Sequence, residues 1–504
     1  MRRRLRDLTR IPKTWAINTA NSTVFVLSGG RRVLHEGRYR RGRWSDWNRA
    51  FSCRPRRYAE PSSEEELCRL LAQADKVRVV GAGHSFNRAP LSDGLLLSLD
   101  RINQVAVRDD PAQPGWKIAA VGAGIRLRDL NRVLVRHGAA LPVAGSTNPQ
   151  SIGGLIATDL HGTGRDHGFL SEVVLSLRLV DAHGRVTTVR PGDDVFHAAI
   201  GGAGTCGVVI GAELRCCPAY NLSKAVKVVP RRWAEANLDA LLEENTHLSF
   251  YYFGGLGRSR PQERHVAPVR MNKWNRTIDP PDRGRKLIKV LDELFDMIFS
   301  GHLMGLARVL HATDWLARMT MGLYALTVNH RAVVYPAEEG FARLLYFRHD
   351  EIEYGIAREH LQACLEDVHA LLRARRYPTI IEVRFTPNAS QALLGPGVGR
   401  PTAYVQLAPS LSRATDPIFR EFEAIMLRYG GQPHLGKKTY LEREHMDATY
   451  GVETMERFRA ARHAQDPSGK FLNEFTQRVL GGVVDGRPAP DARIGGATGH
   501  RQGP

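Results

Sequence analysis

The stretch VRVVGAGHSFN, Val77 to Asn87, enters a nucleotide-binding pattern and then departs from it. Val77, Val79 and Val80 form a β-branched run that leads into the turn Gly81-Ala82-Gly83, as the first strand of a Rossmann unit does. The third glycine of that fingerprint lets a helix pack close against the strand, but Phe86 stands in its place. The next residues, NRAPLSDG, carry Asn87, Pro90, Asp93 and Gly94, which form turns, so no helix is expected. Asp100, ending LLLSLD, mimics the ribose-binding acid but has no crossover helix before it. A glycine turn that is not a Rossmann turn is therefore followed directly by a histidine, His84.

A chain of 504 residues is too long for one simple core, so two or more domains are expected. The net charge of +19 is unevenly placed: residues 1–57 hold 16 Lys/Arg against 3 Asp/Glu. The remaining body is only mildly basic, which argues against a nucleic-acid binder, as does the lack of interleaved aromatic and basic residues. The leader MRRRLRDLTRIPK runs into TWAINTANST and lacks the apolar run of roughly 7–15 residues that a secretory signal needs. It reads either as a solvated extension or as a basic arm against anionic lipid. The six cysteines, 53, 68, 206, 216, 217 and 364, contain no C-x-x-C pair, so free thiols in a reducing cytoplasm are expected and no metal site is suggested.

Strand-like runs, glycine turns and a few helices fill 58–219. SSEEELCRLLAQA opens a helix on a serine cap, RLRDLNRVLVRHG is a second, and DAHGR is a hairpin turn between VVLSLRLV and VTTV. Residues 221–270 read as β-like alternation. Residues 285–321 read as helical, with Leu287, Leu291, Leu294 and Ile298 at helical spacing on a core-facing stripe. The longest uncharged run there, 297–307, is too short to span a bilayer, which leaves interfacial membrane contact as the alternative use of these helices. YPTIIEVRF and PTAYVQL are strands, DPIFREFEAIMLRYGG and VETMERFRAARHA helices, and the Gly/Pro-rich end from Gly481 is expected to be disordered.

Three glycine-rich segments, 81–85, 145–164 and 201–207, lie beside strands within about 125 residues. Such turns let backbone approach an anionic ligand and donate N–H groups to pyrophosphate. Together they suggest a large anionic cofactor held between sheets. IEVRF places Glu382 and Arg384 on one face of a strand, with Ile381, Val383 and Phe385 on the other. A carboxylate and a guanidinium inside an apolar strand are costly unless they pair or meet a polar ligand.

VVGAGHSFN, SIGGLIATDLHGTG, EYGIARE, YPTIIEVRFTPNASQALLGPG, PHLGK and DPSGKFLN, in this order, resemble the vanillyl-alcohol-oxidase type of flavoproteins, and within it the aldonolactone oxidase branch, over residues 47–478. The resemblance implies an α+β fold: a two-subdomain FAD-binding domain of the vanillyl-alcohol-oxidase (PCMH) type, 47–220, after a basic extension, 1–46. It further implies a substrate (cap) domain with an antiparallel sheet, 221–433, and a segment returning to the flavin site, 434–480, before a tail, 481–504. It implies FAD bound covalently through His84, whose neutral imidazole is nucleophilic near pH 7. Val80, Gly81, Ala82, Gly83 and Ser85 belong to the same loop. Gly145, Ser146, Ser151, Gly153 and Gly154, with the backbone of Ala157, Thr158, Asp159, Leu160, His161 and Gly162, would wrap ring and diphosphate. Leu160 stands where relatives carry a threonine. Gly207 and Val209 fall at the adenine end, and His434 beside the flavin.

By the same resemblance Glu382, Arg384 and Lys437 flank the substrate. Arg384 and Lys437 would polarise its oxygen and Glu382 orient or deprotonate its hydroxyl while hydride passes to flavin N5. Ser146 and Gln406 complete the substrate set. Gln406 and Ala408 replace a histidine and a threonine of sugar-alcohol oxidases, which favours a sugar lactone over a polyol. Gly145 leaves room for dioxygen, so an oxidase that makes hydrogen peroxide is expected. The alternatives are a dehydrogenase passing electrons to a quinone or cytochrome, an alditol oxidase, and a basic membrane- or nucleic-acid-surface protein on a flavoprotein fold. The expected location is cytoplasmic, or peripheral at a membrane through the basic N-terminus or 285–321.

Overall fold

The computed structural model describes residues 36–143, 145–255, 268–296, 332–343, 348–387, 390–409 and 415–482. The basic leader up to residue 35, the second part of the 285–321 stretch and the tail beyond 482 lie outside the described residues.

The opening stretch builds a three-stranded parallel sheet in the order Arg57–Ala59, Leu95–Ser98, Val77–Val80. The helix Glu64–Gln73 makes one crossover. Ser63 caps it by accepting from the Glu66 N–H, and Leu67, Leu70 and Leu71 bury its inner face. The second connection, 81–94, contains no helix, as its turn residues require. It is pinned from outside instead: Ala82 O accepts from the Gly37 N–H, Gly83 O from that of Trp47, and the Phe86 N–H donates to Gly436 O. Gly83 has φ +71°, and a Cβ there would sit 3.0 Å from the Trp44 ring, so the residue after the turn is delivered by backbone only glycine tolerates.

A second sheet is antiparallel, in the order Val186–Val189, Val174–Val180, Val208–Pro218, Lys117–Gly122, Val105–Asp109. Its DAHGR turn closes as expected, with Asp181 Oδ1 accepting from the N–H groups of His183 and Arg185. The helices Leu127–Arg136 and Ile152–Ala157 bury Leu127, Leu130, Leu134, Ile152, Leu155 and Ile156 in the core beside it.

The third sheet has eight antiparallel strands: Val333–Pro336, Asn221–Pro230, Pro268–Thr277, His247–Gly254, Thr379–Thr386, Thr402–Leu407, Ile352–Ala357 and Gln432–Pro433. Its two faces differ. Phe250, Ile381, Val383, Phe385, Val405, Leu407, Ile352 and Ile356 form an apolar side in one core with the helices Leu361–Ala374 and Thr415–Arg428. The opposite side is polar, because residues directly opposed across an antiparallel pair share a face. One row runs Arg270, Tyr251, Glu382, Gln406, Glu353; the next runs Asn272, Ser249, Arg384, Tyr404. From this sheet the chain returns to the second one. Helix Val452–Gln465 packs on Asp194–Ala199, and Val77 N–H and Ala182 N–H donate to Lys470 O and Gln465 O.

Two expectations need correction. Residues 221–270 are not strand throughout: the helices Arg231–Ala236 and Leu238–Glu244 interrupt them, the first entered from Pro230, whose fixed φ suits a helix start. In the helix Arg285–Asp296 the leucine stripe faces outward, Leu287 64% and Leu291 57% exposed, while Lys289 is buried and ion-paired with Glu293. The charged stripe turns inward because the surface it meets, the polar side of the large sheet, supplies partners such as Arg270 for Asp296. Ile298 lies outside the described residues. No helix among those described is long and apolar enough to cross a membrane. All six cysteines are free; Cys206, Cys216, Cys217 and Cys364 are buried, Cys53 and Cys68 half-buried.

Among the histidines folded without charge, burial pushes His247 down to about 4 and His369 down to about 3. An unfolded histidine protonates near 6.5. Below that pH the unfolded chain takes up protons the folded one refuses. Stability is then complete above pH ~6.5 and falls by about 1.4 kcal/mol per pH unit per histidine below it. Denaturation midpoints measured from pH 8 to 5 should be level and then decline, and His369→Leu should flatten the decline. An unchanged slope in that variant contradicts the assignment.

Candidate active site

The three glycine segments converge on one cavity. It holds about 1450 Å³ of space, its solvent mouth included, and is lined by Val80, Gly81, Ala82, Gly83, His84 and Ser85 from the first. The second contributes Gly145, Ser146, Ser151, Gly153, Gly154, Ala157, Thr158, Leu160 and His161, the third Ala203, Gly204 and Gly207, and Val209 follows from the strand beyond it. His434, Arg384 and Lys437 complete the wall. Asp100 is the one acid among the lining residues, against Arg78, Arg384 and Lys437, so the cavity suits an anion. A Cβ on Gly81 would run into Ser151 Oγ, and Arg126 Nη1 lies buried behind it with no hydrogen-bond partner among the described residues. Asp100 is held by Arg126 Nη2 at 2.9 Å, which explains why it mimics a ribose acid without being one.

The wrapped segment needs one correction. Asp159 does not line the cavity; its carboxylate accepts from Ser390 Oγ at 2.5 Å, and burial pushes it up to about 7. Nor can the whole backbone from 157 to 162 donate to a ligand. The N–H groups of Asp159, Leu160 and Gly162 are spent on the carbonyls of Ile156, Leu155 and Gly168, and Gly162 opens onto a neighbouring pocket instead. The strained turn at Asp159, φ +47°, sets this spacing. Leu160 fills the place of a hydroxyl by packing on Gly145, with its Cδ1 2.9 Å from where a Cβ would be.

A smaller pocket opens off the cavity, sharing His84, Ser146, Arg384 and Lys437 with it and adding Glu382, Gln406, Trp47, Phe86, Arg343, His349 and Glu351. The Trp47 ring lies parallel to that of His84, centroids 4.9 Å apart. Lys437 is ion-paired with Glu351, which also meets His349 Nε2 at 2.7 Å, and lies 5.1 Å over the Phe86 ring. Burial disfavours the Glu351 charge, yet Lys437 and His349 hold its carboxyl below the usual range.

Arg384 is tied to the fully buried Glu353 and donates to Gln406 Oε1 at 2.8 Å. Its Nε has no hydrogen-bond partner among the described residues, and Glu382 Oε1 stands 3.8 Å from it as an ion-pair neighbour. Burial opposes both charges of the pair, but Arg384 holds Glu353 well below the ordinary carboxylate range, and Glu353 and Glu382 keep Arg384 protonated. Behind Glu353, His161 stacks on Tyr404 at 3.7 Å with Nε2 3.5 Å from the carboxylate, and His434 is buried and held neutral by desolvation. His161, Glu353 and His434 bring ligand-type atoms within 4.8 Å of one another, a spacing a metal could use. Glu353 already takes the guanidinium as its cation, so the group reads as a charge network.

Sequence reasoning passed over Glu353, Glu351, His349, Arg343, Arg78 and Trp47. For two of them the signal was present: in DEIEYG, the alternation that places Glu382 beside Arg384 also places Glu351 beside Glu353.

The sequence matches the D-arabinono-1,4-lactone oxidase family over residues 212–479 and the FAD binding domain over residues 55–190. The L-gulono-1,4-lactone dehydrogenase of Mycobacterium tuberculosis is 31% identical over 449 residues, 87% of this chain and 99% of that protein. The L-gulonolactone oxidase of Bos taurus is 27% identical, covering 88% of this chain and 99% of its own. Among solved structures, cholesterol oxidase from B. sterolicum aligns with a TM-score of 0.71 at 15% identity over 88% of this chain and 97% of that one, a likeness of fold alone. A family match across more than half the length and a relative aligned almost end to end agree with the glycine-lined cavity, and the chain belongs to the D-arabinono-1,4-lactone oxidase family.

Proposed function

We propose that the protein oxidises a secondary alcohol of an aldono-1,4-lactone, with FAD tethered through His84 and dioxygen as the final acceptor. One observation carries the reading: Glu382, Arg384, Gln406 and Lys437 open on a pocket that shares His84 and Ser146 with the glycine-lined cavity. FAD, when bound, supplies a two-electron acceptor for the hydride of the carbinol carbon. Gly81, Gly83, Ser151 and Gly154 would hold its diphosphate, Gly207 and Val209 with Arg78 its adenine end, and Ser146, Thr158, His161 and His434 its ring. In this reading residues 47–220 hold the cofactor, 221–433 cover it with the large sheet, and 434–480 return to the cofactor side.

The chain's own groups do the rest. Arg384 Nε, left without an acceptor, donates to the substrate oxygen and offsets negative charge as it develops. Glu382 accepts the hydroxyl proton. Lys437, fixed by Glu351, and Gln406, fixed by Arg384, orient the lactone. Trp47 and Phe86 close one wall against water and set the plane of the His84 imidazole.

The tether is tested by denaturation. Acid-precipitated wild-type protein should keep its yellow colour, and His84→Ala should release all of it while folding normally. Complete loss of FAD from the wild type would remove the covalent bond from the account.

The acceptor rests on Gly145. Its missing Cβ leaves space bounded by Leu160, so Gly145→Ala must displace Leu160 Cδ1. In stopped-flow mixing, reduced wild-type enzyme should react rapidly with air, and Gly145→Ala should slow that step while substrate reduces the flavin at nearly the wild-type rate. Slow wild-type reoxidation beside fast transfer to a quinone would make the protein a dehydrogenase.

A further inference from the structure

The polar side of the large sheet does not end at Glu382 and Arg384. It continues into a second pocket of about 860 Å³ beneath the helix Arg285–Asp296, and none of the lactone chemistry uses the far part of it. Gly145, Ser146, Arg343, Glu382 and Arg384 line both this pocket and the sites already described, so the two spaces adjoin.

The far part holds an excess of donors. Its two acids from the helix are occupied, Asp296 by Arg270 and Glu293 by Lys289. Three donors remain without an ion-pair partner among the described residues. Lys224 makes no ion pair or hydrogen bond with any of them; the carboxylates of Asp292 and Asp296 act on it only from beyond that distance. Its cross-strand neighbour Trp274 has a buried Nε1 with no acceptor. The Arg343 guanidinium donates to the Tyr251 hydroxyl at 3.1 Å and meets the carboxylates of Glu382, Asp296 and Glu351 only beyond ion-pair distance. Unmatched donors in a desolvated pocket cost stability until an acceptor arrives, and an oxyanion satisfies several at once. Desolvation, with repulsion from Lys289 and Arg270, outweighs the pull of Asp292 and Asp296 and lowers Lys224 to about 8, so an anion in contact with it would favour its charged form.

We infer that this pocket is an oxyanion subsite, and that the substrate is a lactone carrying a carboxylate or phosphate at the end remote from the carbinol carbon. The inference rests on the lactone reading above and narrows its substrate class. Ser146 and Arg384 mark where the lactone ring would end; Lys224, Trp274 and Arg343 take the charged end.

Three probes test it: a neutral aldono-1,4-lactone, the aldaro-1,4-lactone with a terminal carboxylate, and the aldono-1,4-lactone phosphorylated on its primary hydroxyl. Wild-type kcat/KM should be at least tenfold higher for one acidic lactone than for the neutral one, and the better of the two names the oxyanion. Lys224→Met should erase that preference and leave neutral-lactone turnover within twofold. Trp274→Phe, which removes one donor and keeps a ring, should reduce it at least threefold and covers the case in which the lysine variant fails to fold. Oxidation of the neutral lactone with no gain for either acid overturns the subsite and leaves the lactone reading standing. Failure of all three lactones to bleach the flavin overturns both.

Discussion

The pair between Arg384 and the wholly buried Glu353 is the constraint on which the site depends. Neither charge is affordable alone in that interior, and removing one partner of such a pair costs about 3–5 kcal/mol because the other is left bare. Paired, they leave Arg384 Nε buried without a hydrogen-bond acceptor among the described residues, in a side chain that lines the pocket together with His84 and Lys437. The pair also fixes Gln406 and sets the charge seen by His161 and His434. A guanidinium held this way needs no rearrangement to meet a developing oxyanion, which is where preorganised electrostatics contributes most to rate.

The large sheet makes the pair possible. Period-two alternation on its central strands sends aliphatic side chains to the helices and polar ones to the cavity, so one strand builds core and site together. The glycine turn on the other side is equally constrained: its backbone is held by Gly37 and Trp47 from the stretch before the first parallel strand and by Gly436 from near the other end of the chain. His84 and the charged wall are thus brought together by long-range contacts rather than by any local motif.

That explains what could be read from the sequence. The serine cap at Ser63, the DAHGR hairpin, the absence of a Rossmann helix in 81–94 and the two-faced strand at 379–386 follow from local rules, and the structure agrees with each. The backbone of Asp159 does not reach the cavity because its left-handed turn, invisible in a glycine-rich string, spends its N–H on Ile156 O and leaves its carboxylate with Ser390. The leucine stripe of 285–296 misled because burial follows the partner surface, and here the partner is polar. Trp47 and Arg343 carry no local signal; only the folded chain puts them at the pocket. Glu353 was legible by alternation, but its importance lies in meeting Arg384 two strands away, which no spacing rule reveals.

The most direct test is the anaerobic rate at which an aldono-1,4-lactone bleaches the bound flavin in wild type, Glu353→Gln and Arg384→Ala. The account predicts a loss of about 10²-fold or more for Arg384→Ala, and an intermediate loss for Glu353→Gln, with the oxidised flavin spectrum unchanged in both. Bleaching at the wild-type rate in Arg384→Ala would show that this pair does not face the reacting alcohol.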